Sequence, residues 1–113
     1  MAISSTRPNS LPDLRRVLVV GSGGREHALS WALQRREELE MVWITPGNAG
    51  SGQHGLDLEE TDIRGLIEHC LGNDVDLVVV GPEAPLAAGV ADALRDAGIA
   101  VFGPGADGAQ LEA

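Results

Sequence analysis

Lysine is absent from this chain of 113 residues: all eight of its basic residues are arginine. That excludes Schiff-base chemistry and a Walker A loop, whose lysine reaches the phosphates. Positive charge is scarce altogether. A net charge of −9 disfavours a nucleic-acid partner, because phosphate neutralisation needs basic residues. An anionic small molecule remains open to it, since backbone N–H groups bind anions whatever the net charge. Cysteine is reduced to Cys70, so no internal disulfide can form and a reducing compartment, the cytoplasm, is expected. No apolar run approaches the ~20 residues of a membrane span, so no membrane partner is expected. The three histidines, His27, His54 and His69, show no ligand spacing, and no metal site is expected. Residues 1–14 lack the hydrophobic core of a signal peptide and read as a flexible extension. Asp13 and the short length argue against a transit peptide.

What the chain has in quantity is glycine, 15 residues clustered after apolar runs. Val17–Val20, Gly21-Ser22-Gly23-Gly24 and Arg25–Leu29 read as a buried parallel strand, a tight turn and a helix opening from it. N–H groups and the positive dipole end at that helix start favour an anion. A plain strand-to-helix turn also uses glycine, so this stretch alone leaves both readings open. The helix is expected over 25–36, packing through Ala28, Leu29, Ala32 and Leu33. Met41–Thr45 reads as a strand running into Pro46-Gly47-Asn48-Ala49-Gly50, a loop able to form a second anion nest. Gly55–Leu58 reads as a short third strand. Thr61 or Asp62 then caps a helix whose stripe is Ile63, Leu66, Ile67, Cys70 and Leu71. Cys70 is thereby a core residue rather than a nucleophile, His69 lies off the stripe facing solvent, and His54 falls in a mobile loop.

Asp76–Val80 reads as a central strand ending in Gly81-Pro82-Glu83-Ala84-Pro85, and Pro85 opens a helix to about Ala97, stopped by Gly98. Its buried side is expected at Leu86, Val90, Ala93, Leu94 and Ala97. Ile99–Phe102 is a fifth strand, and the tail 106–113 begins to look helical. The alternation predicts an α/β fold: a Rossmann-like parallel sheet of about five strands, order 3-2-1-4-5, with helices on both faces. The turns Gly21–Arg25 and Gly81–Pro85 then meet at the switch point, where such sheets bind ligands. Conventional dinucleotide binding is disfavoured. The third fingerprint glycine should fall at position 26, where Glu26 stands, and the second strand ends Ile44-Thr45-Pro46 without the ribose-reading acid.

Taken together, Val17–Leu29, Pro46–Gly50, Gly81–Leu86, Phe102-Gly103-Pro104 and Gln110–Ala113 resemble the phosphoribosylamine–glycine ligase family (glycinamide ribonucleotide synthetase) over residues 16–113. The resemblance implies a pre-ATP-grasp domain over 15–105, with 106–113 starting the connection to a missing ATP-grasp domain. It implies de novo purine synthesis. Phosphoribosylamine and glycine are joined with ATP through a glycyl phosphate, giving glycinamide ribonucleotide. ATP and magnesium or manganese would bind mainly outside this piece, which would be inactive alone without the ATP-grasp and C-terminal domains. Substrate-site residues implied by the resemblance are Gly23, Gly24, Arg25 and Glu26 on one wall. Pro46, Gly47, Asn48 and Gly50 form the second, and Gly81 and Pro82 adjoin Glu83, whose carboxylate would hold the ribose hydroxyls. Other readings stay open. Arg25 and Glu26 could be a structural pair orienting the loop, Asn48 a left-handed turn residue, and Glu83 a helix N-terminal acid. The whole could instead be the front domain of another ATP-grasp purine enzyme, or a free-standing nucleotide-binding module.

Overall fold

A computed structural model describes residues 14–47, 54–81, 87–105 and 108–112. In chain order they form β1 (Arg16–Val20), α1 (Gly24–Gln34), β2 (Met41–Thr45), α2 (Ile63–Gly72), β3 (Leu77–Val80), α3 (Ala87–Asp96), β4 (Val101–Gly105) and β5 (Gly108–Glu112). The sheet order is β2-β1-β3-β4-β5. β1 pairs in parallel with β2 and with β3, Val20 lying opposite both Thr45 and Val80. β4 adds to β3 in parallel, and β5 closes the edge antiparallel to β4.

The apolar strands are hydrophobic on both faces because both are covered. On one face Leu18, Val20, Val78 and Val80 pack against Leu66 and Cys70 of α2 and Val90 and Leu94 of α3, all buried. On the other, Val17, Val19, Val42 and Ile44 are buried, with Leu33 of α1 and Leu39 packed on them. Asp62 caps α2 by accepting the Gly65 N–H at 3.0 Å. α3 gives way to Gly98, whose φ of +87° no β-carbon would favour.

The doubly wound architecture and the position of the switch point follow the sequence-based expectation. Several details differ, among them Leu71 of the expected α2 stripe, which is 61% exposed. Four strands are parallel, and the fifth of the sheet is the antiparallel β5 rather than Gly55–Leu58. Gly55 makes only an isolated parallel bridge to Ile44, on the outer side of β2, so the segment takes the expected edge place without forming a ladder. The tail expected to be helical is β5, held by pairing across β4, a contact that local propensity cannot register. α1 buries Glu26 and Ser30 rather than Ala28, Leu29 and Ala32, which are exposed. His69 is half-buried, edge-on to Trp43 with ring centroids 4.7 Å apart, and half-buried His54 bonds the Val42 carbonyl through Nδ1 at 2.8 Å.

Candidate functional site

Pairing of β1 with β2 and β3 brings the ends of three strands side by side. The Gly21 N–H donates to the Thr45 carbonyl and the Gly81 N–H to the Val20 carbonyl, both at 2.9 Å. The expected walls at Gly21–Glu26, Pro46-Gly47 and Gly81 therefore adjoin at the carboxyl ends. Asn48, Gly50, Pro82 and Glu83 lie outside the described residues.

Within the first wall the four predicted residues play different parts. Gly23, Gly24 and Arg25 are exposed at the start of α1. The first turn of a helix has N–H groups with no intrahelical acceptor and the positive end of the dipole, so an anion is favoured here. Beyond its own helix backbone and chain neighbours, a β-carbon added at Gly24 would meet nothing within 4 Å. Glu26, in contrast, is 5% exposed, and its Oε1 accepts the Gly23 N–H at 2.9 Å. This is half of a capping box, the reciprocal bond being impossible for a glycine at the cap. The carboxylate is wedged against three glycines. A β-carbon on Gly21 would lie 2.5 Å from Glu26 Cγ, one on Gly23 2.8 Å from Oε1, and one on Gly81 would collide with Oε2. Gly21, at φ +145°, also adopts a backbone that other residues rarely take.

The second wall is built against the chain beyond it. The Gly47 N–H donates to the Leu56 carbonyl at 2.8 Å, and a β-carbon there would sit 2.5 Å from the Gly55 Cα. Gly47 is thus required for close backbone approach, and its N–H is already taken. Thr45, fully buried before the cis Thr45–Pro46 peptide, donates its hydroxyl to the carbonyl of Leu58. Thr45 and Gly55 are the positioning residues that sequence reasoning missed. A threonine ending an otherwise apolar strand and a glycine opening an apolar segment were the available signals. Cys70, as expected, belongs to the core; burial pushes its thiol up to about 12, far from a nucleophile's range.

A concavity of about 860 Å³ lies elsewhere, with Val17, Leu29, Leu33, Leu77, Val79 and Phe102 among its walls and no residue of the three turns. Among the described residues no group of three or more His, Cys, Asp or Glu is placed to hold a metal ion. No described helix is long and apolar enough to cross a membrane.

Comparison with known proteins adds sequence and fold relatives. Residues 15–112 match the family described as phosphoribosylglycinamide synthetase, N domain. Phosphoribosylamine–glycine ligase of Rhodopirellula baltica is 49% identical over 98 residues, 85% of this chain and 22% of that protein. The enzyme of that name in Escherichia coli K12 is 46% identical over 101 residues, 86% of this chain and 24% of its own length. The trifunctional purine biosynthetic protein adenosine-3 of Gallus gallus is 48% identical over 86% of this chain and 10% of its own. The chain thus spans about a quarter or less of the curated relatives it matches. Among solved structures, a Rex-family repressor in complex with β-NADH shares the fold at TM-score 0.57 and 20% identity, over 97% of this chain and 54% of the other.

Proposed function

The chain belongs to the phosphoribosylglycinamide synthetase N-domain family, and from that premise we propose that it forms the phosphoribosylamine side of the site in a ligase joining that amine to glycine at the expense of ATP. The observation that carries the reading is the meeting of the Gly21–Glu26, Pro46-Gly47 and Gly81 turns at the carboxyl ends of three adjacent parallel strands, where α/β sheets take ligands. The exposed start of α1 at Gly24 receives the phosphate beside Gly23 and Arg25, through backbone N–H groups past Gly23 and the helix dipole. Pro46, Gly47, Asn48 and Gly50 line the second side, and Pro82 with Glu83 continue from Gly81. The Glu83 carboxylate, an acceptor only, takes hydrogen bonds from the ribose hydroxyls.

ATP and its magnesium we assign to the remainder of the ligase. The described residues have no acid cluster for a metal, and the sequence has no lysine for the phosphates. This domain's part is binding and orientation: it holds the amine of phosphoribosylamine in line for attack on an activated glycyl carboxyl. Cys70, single and buried, fits a cytoplasmic setting.

The test is a titration with ribose 5-phosphate followed by amide NMR. Shifts concentrated at Ser22–Arg25 support the reading, and shifts that avoid the three turns overturn it. In a complete ligase, Glu83→Ala is expected to raise the KM for phosphoribosylamine about tenfold or more, through loss of charge-assisted hydrogen bonds. A change within twofold in both KM and kcat would remove the ribose role. The chain by itself is expected to release no ADP from ATP when glycine is added.

A further inference from the structure

Glu26 stands where the dinucleotide pattern requires its third glycine, and the structure shows what the replacement does. In that pattern the glycine lets helix and strand pack closely while the turn presents N–H groups to a diphosphate. Here the side chain fills the space between α1 and the ends of β1 and β3, touching the positions of Gly21, Gly23 and Gly81. Three glycines surround one buried carboxylate, and each leaves room that a β-carbon would take from it. Its Oε1 also takes the Gly23 N–H at 2.9 Å, a donor no longer available to a ligand. A cap residue at this helix position ordinarily reaches back across solvent; this one is 5% exposed and lies against two loops from different parts of the chain.

We infer that Glu26 is a specificity-determining positioning residue: its carboxylate occupies the crevice between the turns after β1 and β3, so that the site admits a phosphate monoester at the start of α1 and rejects a diphosphate-bridged nucleotide. The inference rests on the phosphoribosylamine reading above and adds to it the basis of ligand choice. Two effects act together. The wedge removes the volume and the Gly23 donor that a diphosphate would use, and it sets a negative group beside the place a second phosphate would occupy. A monoester at the Gly24 backbone, on the exposed side of the turn, lies away from the wedge and the Gly23 donor it takes.

The experiment compares ribose 5-phosphate with ADP-ribose by titration of the wild-type chain, Glu26→Gln and Glu26→Ala, each checked for folding by circular dichroism. Wild type is expected to prefer ribose 5-phosphate by about tenfold or more. Glu26→Gln keeps shape and the acceptor for Gly23 but not the charge, and narrows that ratio by about threefold. Glu26→Ala narrows it by about tenfold, chiefly through tighter ADP-ribose binding. A strut with no part in selection would weaken both ligands equally and leave the ratio unchanged, which overturns the inference while ribose 5-phosphate binding keeps the phosphoribosylamine reading. Binding of neither ligand by wild type overturns both. Should Glu26→Ala not fold, the Glu26→Gln ratio decides alone.

Discussion

At the amino ends of β1 and β3, polar side chains close the sheet. Asp76 Oδ2 accepts the N–H groups of Arg15 and Arg16, each at 2.9 Å, while both arginines reach Glu40, at 3.1 and 3.2 Å. The Arg16 guanidinium also donates to the Asn73 carbonyl, so the end of α2 is tied to the same place. Hydrogen bonds from Arg15 and then Arg16 hold the Glu40 carboxyl below the usual carboxylate range. At the carboxyl ends of the same strands stand Gly21 and Gly81, with Glu26 wedged between them and exposed backbone at Ser22–Arg25. One end spends its side chains satisfying its own backbone; the other leaves backbone groups facing solvent beside a preformed wedge. The first arrangement serves stability and the second suits a ligand.

The sharpest way to break this contrast is to add one carbon at the glycine end. Gly21→Ala combines a φ of +145° with a β-carbon 2.5 Å from Glu26 Cγ, and is expected to cost roughly 2–4 kcal/mol in urea denaturation. Adding Glu26→Ala should recover the steric share and leave the conformational one. A loss near zero for Gly21→Ala would mean that the wedge is soft. At the opposite end, Asp76→Ala strands two N–H groups and is expected to cost about 1.5–3 kcal/mol, with Asp76→Asn milder because an amide oxygen still accepts. Equal losses in both variants would show that the acceptor role of Asp76 is not what matters.

Gly24→Ala separates fold from ligand within a single turn. Its added carbon meets open space at a helical position, so stability should rise by about 0.4–1 kcal/mol while ribose 5-phosphate binding falls. Stability and binding moving together would contradict the division of labour between Gly24 and Gly21. The smallest expected effect belongs to His69, whose burial beside Trp43 lowers its pKa below the 6.5 of the unfolded chain. The unfolded state then binds more protons just below pH 6.5. Stability is therefore fully present above that value and declines as pH falls towards the folded pKa. His69→Gln should flatten this part of a midpoint-versus-pH curve, and an unchanged slope would exclude His69 as its source.

Much of this was legible in the residues because it is local. Val17–Val20 and Leu77–Val80 are apolar on every position, which only strands covered on both faces accommodate, and their following glycines marked the turns that meet at the carboxyl ends. The α2 stripe at Ile63, Leu66, Ile67 and Cys70 followed from period alone, but Leu71, expected on it, is 61% exposed at the end of the helix. α1 defeated the same reasoning. Its inner face is Glu26, Ser30 and the expected Leu33, with Ser30 taking a hydrogen bond from Gln34 Nε2 at 2.9 Å, so the apolar residues Ala28, Leu29 and Ala32 pointed the search outward. The residues left exposed include Leu29 and Trp31, and Arg35 stacks over the Trp31 ring at 4.6 Å. The antiparallel β5 was equally out of reach, since its partner strand and not its composition makes it a strand.

By itself the amino-acid sequence determined β1, β2, β3 and β4 with the three helices between them, the family, and the three turns worth examining, because strand runs, glycine turns and motif spacing are carried by neighbouring residues. Only the tertiary structure decided that Glu26 lies under Gly21 and Gly81 rather than out against a ligand, and that Gly47 is held by Gly55. Those contacts exist because parallel pairing sets Val20 beside Val80 and draws Gly55 along β2, distances that no local pattern encodes.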